Sequence, residues 1–385
     1  MAADSTPRMV DGHEIVRYRP EHKSQVAKLQ THLWTSEPKL ATRYLEWKYE
    51  ENPYAKEPVI YLAFQGSKLV GMRGFYKSKW ELGSPRQTHA ILVADDAVIV
   101  PSHRNRRLST VIMRAAFEDL AKSGHEYVLN LSGSPVTVVS SLAMGWKSAG
   151  PLEPISLERG LNLARKGRRV LKRISFVHRY AESRFLRTPA ERDPFAHLDR
   201  MSSRKEADAI SIEREPRPDA MAELVSRLGH DGRVRHVRDR EFLAWRFRDP
   251  LSVYRFLYWG TSPMRGYLAL KCEHSGAHHP TRVRIVDLEG TSASVRAGLL
   301  DAAIDLGRFQ ELFAWAATLS DETRKYLLST RGFKPAELDL RARGCPCVLV
   351  KRVSTQPEGS NWMLGNRRLT ALADWDMRML YTMAG

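Results

Sequence analysis

Apolar and polar positions along the chain fall into two periods. Spacing of three to four residues predicts amphipathic helices over 22–34, 109–122, 219–228 and 294–306. Short apolar runs between turn residues predict strands at Val59–Phe64, Leu69–Tyr76, Ile91–Val100 and Tyr127–Leu131. A second set follows at Val253–Trp259, Gly266–Leu270, Val283–Leu288 and Glu311–Ala316. The elements run β-α-α-β-β-β-α-β-α-β, and then again in the same order.

A short motif marks the repeat. Tyr44-Leu45-Glu46-Trp47-Lys48-Tyr49, leading to Asn52-Pro53, returns as Phe242-Leu243-Ala244-Trp245-Arg246-Phe247, leading to Pro250. Gly145-Trp146 and Gly332-Phe333 close the last helix of each half, where glycine takes the left-handed conformation that stops a helix. This predicts two α/β domains, 14–157 and 208–353, joined by a basic linker at 158–207 and followed by a tail at 354–385. Trp47 and Trp245 are expected to be buried and to superimpose, because a Trp at each helix end repeats one packing solution.

Length and composition agree with two domains. The 385 residues exceed what one core organises, and 43% apolar residues are enough to fill two. No run approaches the roughly 20 apolar residues of a membrane span, and the first residues lack a signal layout, so the expected location is the cytosol. Cys272, Cys345 and Cys347 are too few for a disulfide framework, and no metal-ligand spacing accompanies the Cys-x-Cys pair. The net charge is +17, of which Arg159 to Arg187 supply +9 with ten basic residues against Glu182 alone. Apolar residues interleave with these arginines, which suits a packed linker or contact with an anionic membrane surface.

The order of elements, with Asp96-Ala-Val-Ile-Val-Pro101-Ser-His-Arg104-Asn-Arg-Arg107-Leu-Ser109 between the fourth strand and third helix, resembles the GNAT acyltransferase superfamily. The Trp47-Lys48-Tyr49 helix end, the Asp five residues before Pro101 and the Gly145-Trp146 close resemble bacterial GNAT-like proteins associated with surface-polysaccharide biosynthesis. The resemblance covers residues of about 14 to 157 well and 208 to 353 more loosely. It implies two tandem GNAT-like domains, each a mixed, mostly antiparallel sheet flanked by helices.

A strand that ends at Pro101 and turns into a helix near Leu108 presents N–H groups and the positive end of a dipole, which suit a pyrophosphate. The resemblance implies acetyl-CoA or another acyl-CoA there, held by His103, Arg104, Asn105, Arg106, Arg107, Leu108 and Ser109. Arg107 and Ser109 stand at the family's two glycine positions, and Arg104, Arg106 and Arg107 supply guanidinium groups for phosphate. His103 is either a loop-capping donor or an exposed side chain. The second copy, Glu289 to Gly298, has no comparable loop and reads as a scaffold half.

Acyl transfer to an amine needs a base, an oxyanion donor and a proton for the thiolate. Strand alternation turns Asp95 and Asp96 to opposite faces, and the resemblance favours Asp96 as the base. A strand N–H near Ile99 or Val100 would meet the oxyanion. Ser141 stands where the family often has a tyrosine acid, and it reads either as a proton donor or as a buried serine. The absence of Ser-His-Asp, His-Glu-x-x-His and P-loop patterns argues against a hydrolase, a zinc protease or a nucleotide triphosphatase.

The expected function is acyl-CoA-dependent N-acylation of an amine, a small molecule or lipid-linked amino sugar in envelope polysaccharide assembly, in the cytoplasm or peripheral to the inner membrane face. Two alternatives stand beside it: a transferase using aminoacyl-tRNA as donor, for which a +17 surface would meet RNA phosphates, and a non-catalytic polyanion-binding module.

Overall fold

The computed structural model describes residues 8–83, 86–104, 107–131, 135–159, 193–196, 210–273, 282–336, 346–354 and 362–383. Apart from residues 158–159 and 193–196, the basic linker lies outside the described residues, as do Asn105, Arg106 and Cys345.

In chain order the first half contains β1 (Arg8–Val10), β2 (His13–Arg17), α1 (Lys23–Gln30), α2 (Pro38–Leu45), β3 (Val59–Gln65), β4 (Lys68–Leu82) and β5 (Gln87–Ile99). It continues with α3 (Leu108–Lys122), β6 (Tyr127–Asn130), α4 (Pro135–Ala143), β7 (Lys147–Pro151) and β8 (Pro154–Glu158). The second half contains β9 (Ile210–Glu213), α5 (Pro218–Leu228), β10 (Val234–His236), α6 (Arg240–Arg246), β11 (Val253–Trp259) and β12 (Gly266–Glu273). It ends with β13 (Arg282–Gly290), α7 (Ala293–Leu306), β14 (Glu311–Trp315), β15 (Lys334–Pro335) and β16 (Cys347–Arg352).

Two large sheets carry these strands, and the helices stack around them in layers. Leu108, Ile112, Met113, Ala116 and Leu120 of α3 pack on the outer face of the first sheet. Val295, Leu299, Leu300, Ala303 and Ile304 of α7 do the same on the second. Between the sheets lies one shared core that takes Val26 and Leu29 of α1, Tyr44 and Leu45 of α2, Met221 and Leu224 of α5, and Phe242 and Trp245 of α6. Strand β3 is buried along its first six residues because both faces of its sheet are covered, and its sequence is accordingly a continuous apolar run. Among the described residues no helix is long and apolar enough to cross a membrane.

The sheets exchange a strand. The first has the order β1-β2-β3-β4-β5-β6-β16-β7, and the second β15-β8-β14-β13-β12-β11-β9. Strand β8, which ends the first half, pairs with β14 and β15 of the second sheet, whereas β16 lies between β6 and β7 of the first. A chain boundary at 157 therefore does not coincide with a boundary between sheets. The local sequences of β8 and β16 specify strands, but their partners are set only when both halves are folded.

The repeated tryptophans meet across the shared core. Trp47 and Trp245 are 0% and 2% exposed. Their rings stack with centroids 5.2 Å apart and planes 17° apart. Each indole N–H donates to the backbone carbonyl of the other Trp, at 2.8 Å from Trp47 and 2.6 Å from Trp245. This reciprocity satisfies two buried donors and fixes the contact as nearly two-fold.

His236 lies in the same core, with its ring centroid 4.1 Å from that of Phe242 and 5.2 Å from that of Tyr381. Burial lowers its pKa from the ordinary 6.5 to about 3. A histidine buried neutral takes up a proton only on unfolding, so its contribution is present above pH 6.5 and is lost as pH falls from there toward 3. Urea unfolding at a series of pH values is expected to show the midpoint falling from pH 7 to pH 5, with a shallower fall in His236→Gln.

Candidate functional site

Strands β5 and β6 run parallel and pair only at Leu92 with Val128 and Val93 with Leu129. Beyond these residues β5 continues to Ile99 while β6 ends at Asn130, so the two splay apart and the last residues of β5 have an open edge.

The splay begins at a bulge. Against β4, Gly74 pairs with Asp95 and Arg73 with Ala97, which leaves Asp96 as the extra residue, with φ at +47°. A bulge breaks strict alternation of side chains. As a result Asp95 and Asp96 both reach the same ammonium, that of Lys48, at 2.8 and 2.9 Å. The expectation that the two carboxylates face opposite ways is corrected by this one inserted residue. Gly74 permits the arrangement, because a Cβ there would come within 2.0 Å of the Tyr49 hydroxyl.

Asp96 is the hub. Its Oδ1 accepts from Trp34 Nε1 at 2.7 Å and from Lys48 Nζ at 2.9 Å. Its Oδ2 accepts from Tyr49 OH at 2.7 Å and from Gln30 Nε2 at 3.0 Å. Both oxygens are saturated, and the side chains of Asp96 and Lys48 are 0% exposed. Such a carboxylate has no lone pair left for a further donor. Burial alone would lower the Lys48 pKa, but Asp95 and Asp96 outweigh it and hold it above the usual lysine value. Burial, and then the charge of Asp96, push the Tyr49 hydroxyl well above its usual range, so it stays a donor.

The loop after β5 is divided in its roles. The Val100 N–H donates to the Val70 carbonyl at 3.0 Å, so it is committed to the sheet and is not an oxyanion donor. The Ile99 carbonyl accepts from Arg104 Nε at 3.1 Å, which anchors that guanidinium at the strand end. His103 is buried and turned inward, with Nε2 2.9 Å from Gln65 Oε1 and Nδ1 2.9 Å from Ser102 Oγ, so it belongs to the loop's support. Arg107 is the N-cap of α3 with φ at +58°. It holds the left-handed geometry of a glycine position without being glycine. No side chain caps α3 there, the Leu108 side chain is in the core, and Ser109 is exposed on the first turn. The first-turn donors of α3 are thus presented at the mouth of the splay. Ser141 is buried on α4, and Asp96 receives none of its hydrogen bonds from it.

In the second half the diverging strand is bridged by arginines, while a cavity of about 230 Å³ lies beside the first turn of α7, lined by Ala293, Ser294, Arg296, Glu322 and Thr323. Strand β13 pairs with β14 only from Arg282 to Arg284, so it too diverges. There the Leu288 carbonyl accepts from Arg378 of the C-terminal tail at 2.7 Å, and Asp287 accepts from Arg378 at 2.8 Å and Arg238 at 3.0 Å. Ser292 caps α7, and Arg296 donates to Gly290, Thr323 and Glu322. Arg238 and Arg378 pair with Asp287 as Lys48 pairs with Asp96, and Arg378 in addition reaches the Leu288 carbonyl on the diverging strand.

Residues 14–145 match the family model of the acetyltransferase (GNAT) domain. Over these residues the first unit is similar to GNAT acetyltransferase domains. Among solved structures the chain is similar to a GCN5-related N-acetyltransferase from Anabaena variabilis, with a TM-score of 0.57 at 11% identity over 89% of this chain and 73% of that one. It is also similar to a GCN5-related N-acetyltransferase from Kribbella flavida, with a TM-score of 0.51 at 13% identity over 89% of this chain and 72% of that one. At such identities the likeness is one of fold. No curated protein matches the sequence.

Within residues 14–145 the edge of β5, the start of α3 without a side-chain cap, and Arg104 with Arg107 fit the phosphates and arm of a coenzyme A thioester. Sequence reasoning placed this strand-to-helix junction where the structure has it. It missed the Lys48 hub and the partners Gln30, Trp34 and Tyr49. The available signal was a basic residue inside an aromatic, apolar motif.

Proposed function

We propose that the protein is an acyl-CoA-dependent N-acyltransferase with its site in the first unit and the second unit as a duplicated scaffold. The observation that carries this is the contrast between the two splayed strand ends: Arg378 bridges the one in the second unit, while in the first α3 starts with no side-chain cap beside the free end of β5. When bound, the thioester supplies an activated acyl group. Arg104, Arg107 and the first turn of α3 hold its phosphates, and the edge of β5 orients its arm. Asp96 is a positioning residue: with Lys48 it fixes the bulge that turns β5 away from β6. The recurrence of elements, the Trp47–Trp245 contact and the 89% coverage by the neighbours support the tandem arrangement. An amino-sugar acceptor in envelope polysaccharide assembly rests on the Trp47-Lys48-Tyr49 and Gly145-Trp146 likeness alone.

Thermal unfolding with acetyl-CoA and with tRNA tests the donor. Acetyl-CoA at about 100 times its Kd is expected to stabilise the protein by about 2.7 kcal/mol, with tRNA at the same concentration giving no shift. Arg104→Ala is expected to weaken acetyl-CoA binding by about 1.5–3 kcal/mol. Stabilisation by tRNA without any by acetyl-CoA would favour the aminoacyl-tRNA reading.

A further inference from the structure

Arg73 is the exception among the buried arginines. Among the described residues, Arg235 pairs with Glu81, Arg238 with Asp287, Arg255 with Asp193 and Arg282 with Glu311, while Arg246 donates to Tyr254, Leu380 and Thr382. Arg73 is 5% exposed, its side chain makes neither a hydrogen bond nor an ion pair among the described residues, and its Nε is sealed from solvent without a partner there. Its guanidinium carbon lies 5.9 Å from the centroid of the Phe75 ring. Phe75, two residues on, belongs to the core under α3, and a Cβ on Gly71, two residues back, would touch Leu108 and Ile112 of α3. Strand alternation therefore turns Arg73 to the α3 face.

Its cross-strand neighbour on β5 is Ala97, which is exposed between buried Asp96 and Val98. Ala97 lies on the part of β5 that has diverged from β6, one register pair from the bulge. Ala97 thus gives solvent access on the α3 face beside Arg73, at the splay. A buried cation without a counter-ion is costly, and burial pulls the Arg73 pKa below its usual value even though Asp95 acts against this at a distance. An anionic ligand group would supply the partner that the fold withholds.

We propose that Arg73 anchors an anion in this groove and that the acyl group accepted there carries a terminal carboxylate, as in a succinyl or glutaryl thioester. This rests on the acyl-CoA reading above and specifies its donor. Guanidinium and carboxylate match in a two-pronged hydrogen-bonded pair, which an acetyl group cannot form.

The test is calorimetric titration of the full chain with succinyl-CoA and acetyl-CoA, in the parent and in Arg73→Met, with melting temperatures measured in parallel. The parent is expected to bind succinyl-CoA about tenfold or more tightly than acetyl-CoA, the scale of a charged hydrogen bond, and Arg73→Met to bind the two alike. Without ligand, Arg73→Met is expected to melt at a higher temperature, because it removes an unpaired buried charge. Equal affinity of the parent for both thioesters overturns the proposal while leaving the acyl-CoA reading intact. A preference for succinyl-CoA that survives in Arg73→Met, or a lower melting temperature with no change in the ratio, also overturns it. Binding of neither thioester overturns the acyl-CoA reading, and this proposal with it.

Discussion

Lys48→Met is expected to destabilise the protein by about 3–5 kcal/mol, the cost of leaving a buried charge without its partner. Among the described residues Lys48 is the one cation in contact with the Asp95 and Asp96 carboxylates, at 2.8 and 2.9 Å, and its own side chain is fully enclosed. Methionine fills most of the stem volume, so the loss is electrostatic rather than a cavity. The remaining donors to Asp96, from Gln30, Trp34 and Tyr49, are neutral and cannot balance two adjacent carboxylates. Urea denaturation measures the effect, and the triple variant Lys48→Met, Asp95→Asn, Asp96→Asn is expected to recover a large part of it. A single variant as stable as the parent would mean that the hub does not hold the bulge.

Residues 1–157 expressed alone are expected not to fold. In the full chain β16 stands between β6 and β7, and its Val348, Leu349 and Val350 are completely buried. Without it β6 and β7 lose their common partner, two sheet edges open, and both cores of the first unit lose apolar side chains. The segment β8 would meanwhile lack β14 and β15. Aggregation, or a circular dichroism spectrum without cooperative melting, is the expected outcome. Supplying a segment equivalent to Cys347–Arg352 through a linker after residue 152 is expected to restore a cooperative transition. A soluble truncated unit with a sharp melting transition would show that the exchange is dispensable.

Much of the fold was legible because it rests on local patterns. The repeated Trp motif, the doubled order of elements and the strand-to-helix junction at Pro101 all come from short segments whose periodicity and breakers act locally. Three features were not legible, each because it depends on register or on a distant partner. Alternation assigned Asp95 and Asp96 to opposite faces, and one bulged residue against Arg73–Gly74 brings both to Lys48. Val100 looked free at a strand end, but β4 extends far enough to accept its N–H at Val70. The strand exchange leaves no local mark, since β8 and β16 would satisfy either sheet equally well. Arg73, a lone charge in the apolar run Leu69 to Tyr76, was passed over, although a cation in a buried strand is a usable signal.

The central claim is that a single cleft, at the start of α3, holds the acyl donor. Calorimetric titration of the full chain with acetyl-CoA, beside Ser109→Asp, tests it most directly. Aspartate in the first turn of a helix favours the helix itself, so folding is preserved while the added charge repels phosphate. The account predicts one acetyl-CoA per chain in the parent and no measurable binding in Ser109→Asp; two per chain, or undiminished binding in that variant, would contradict it.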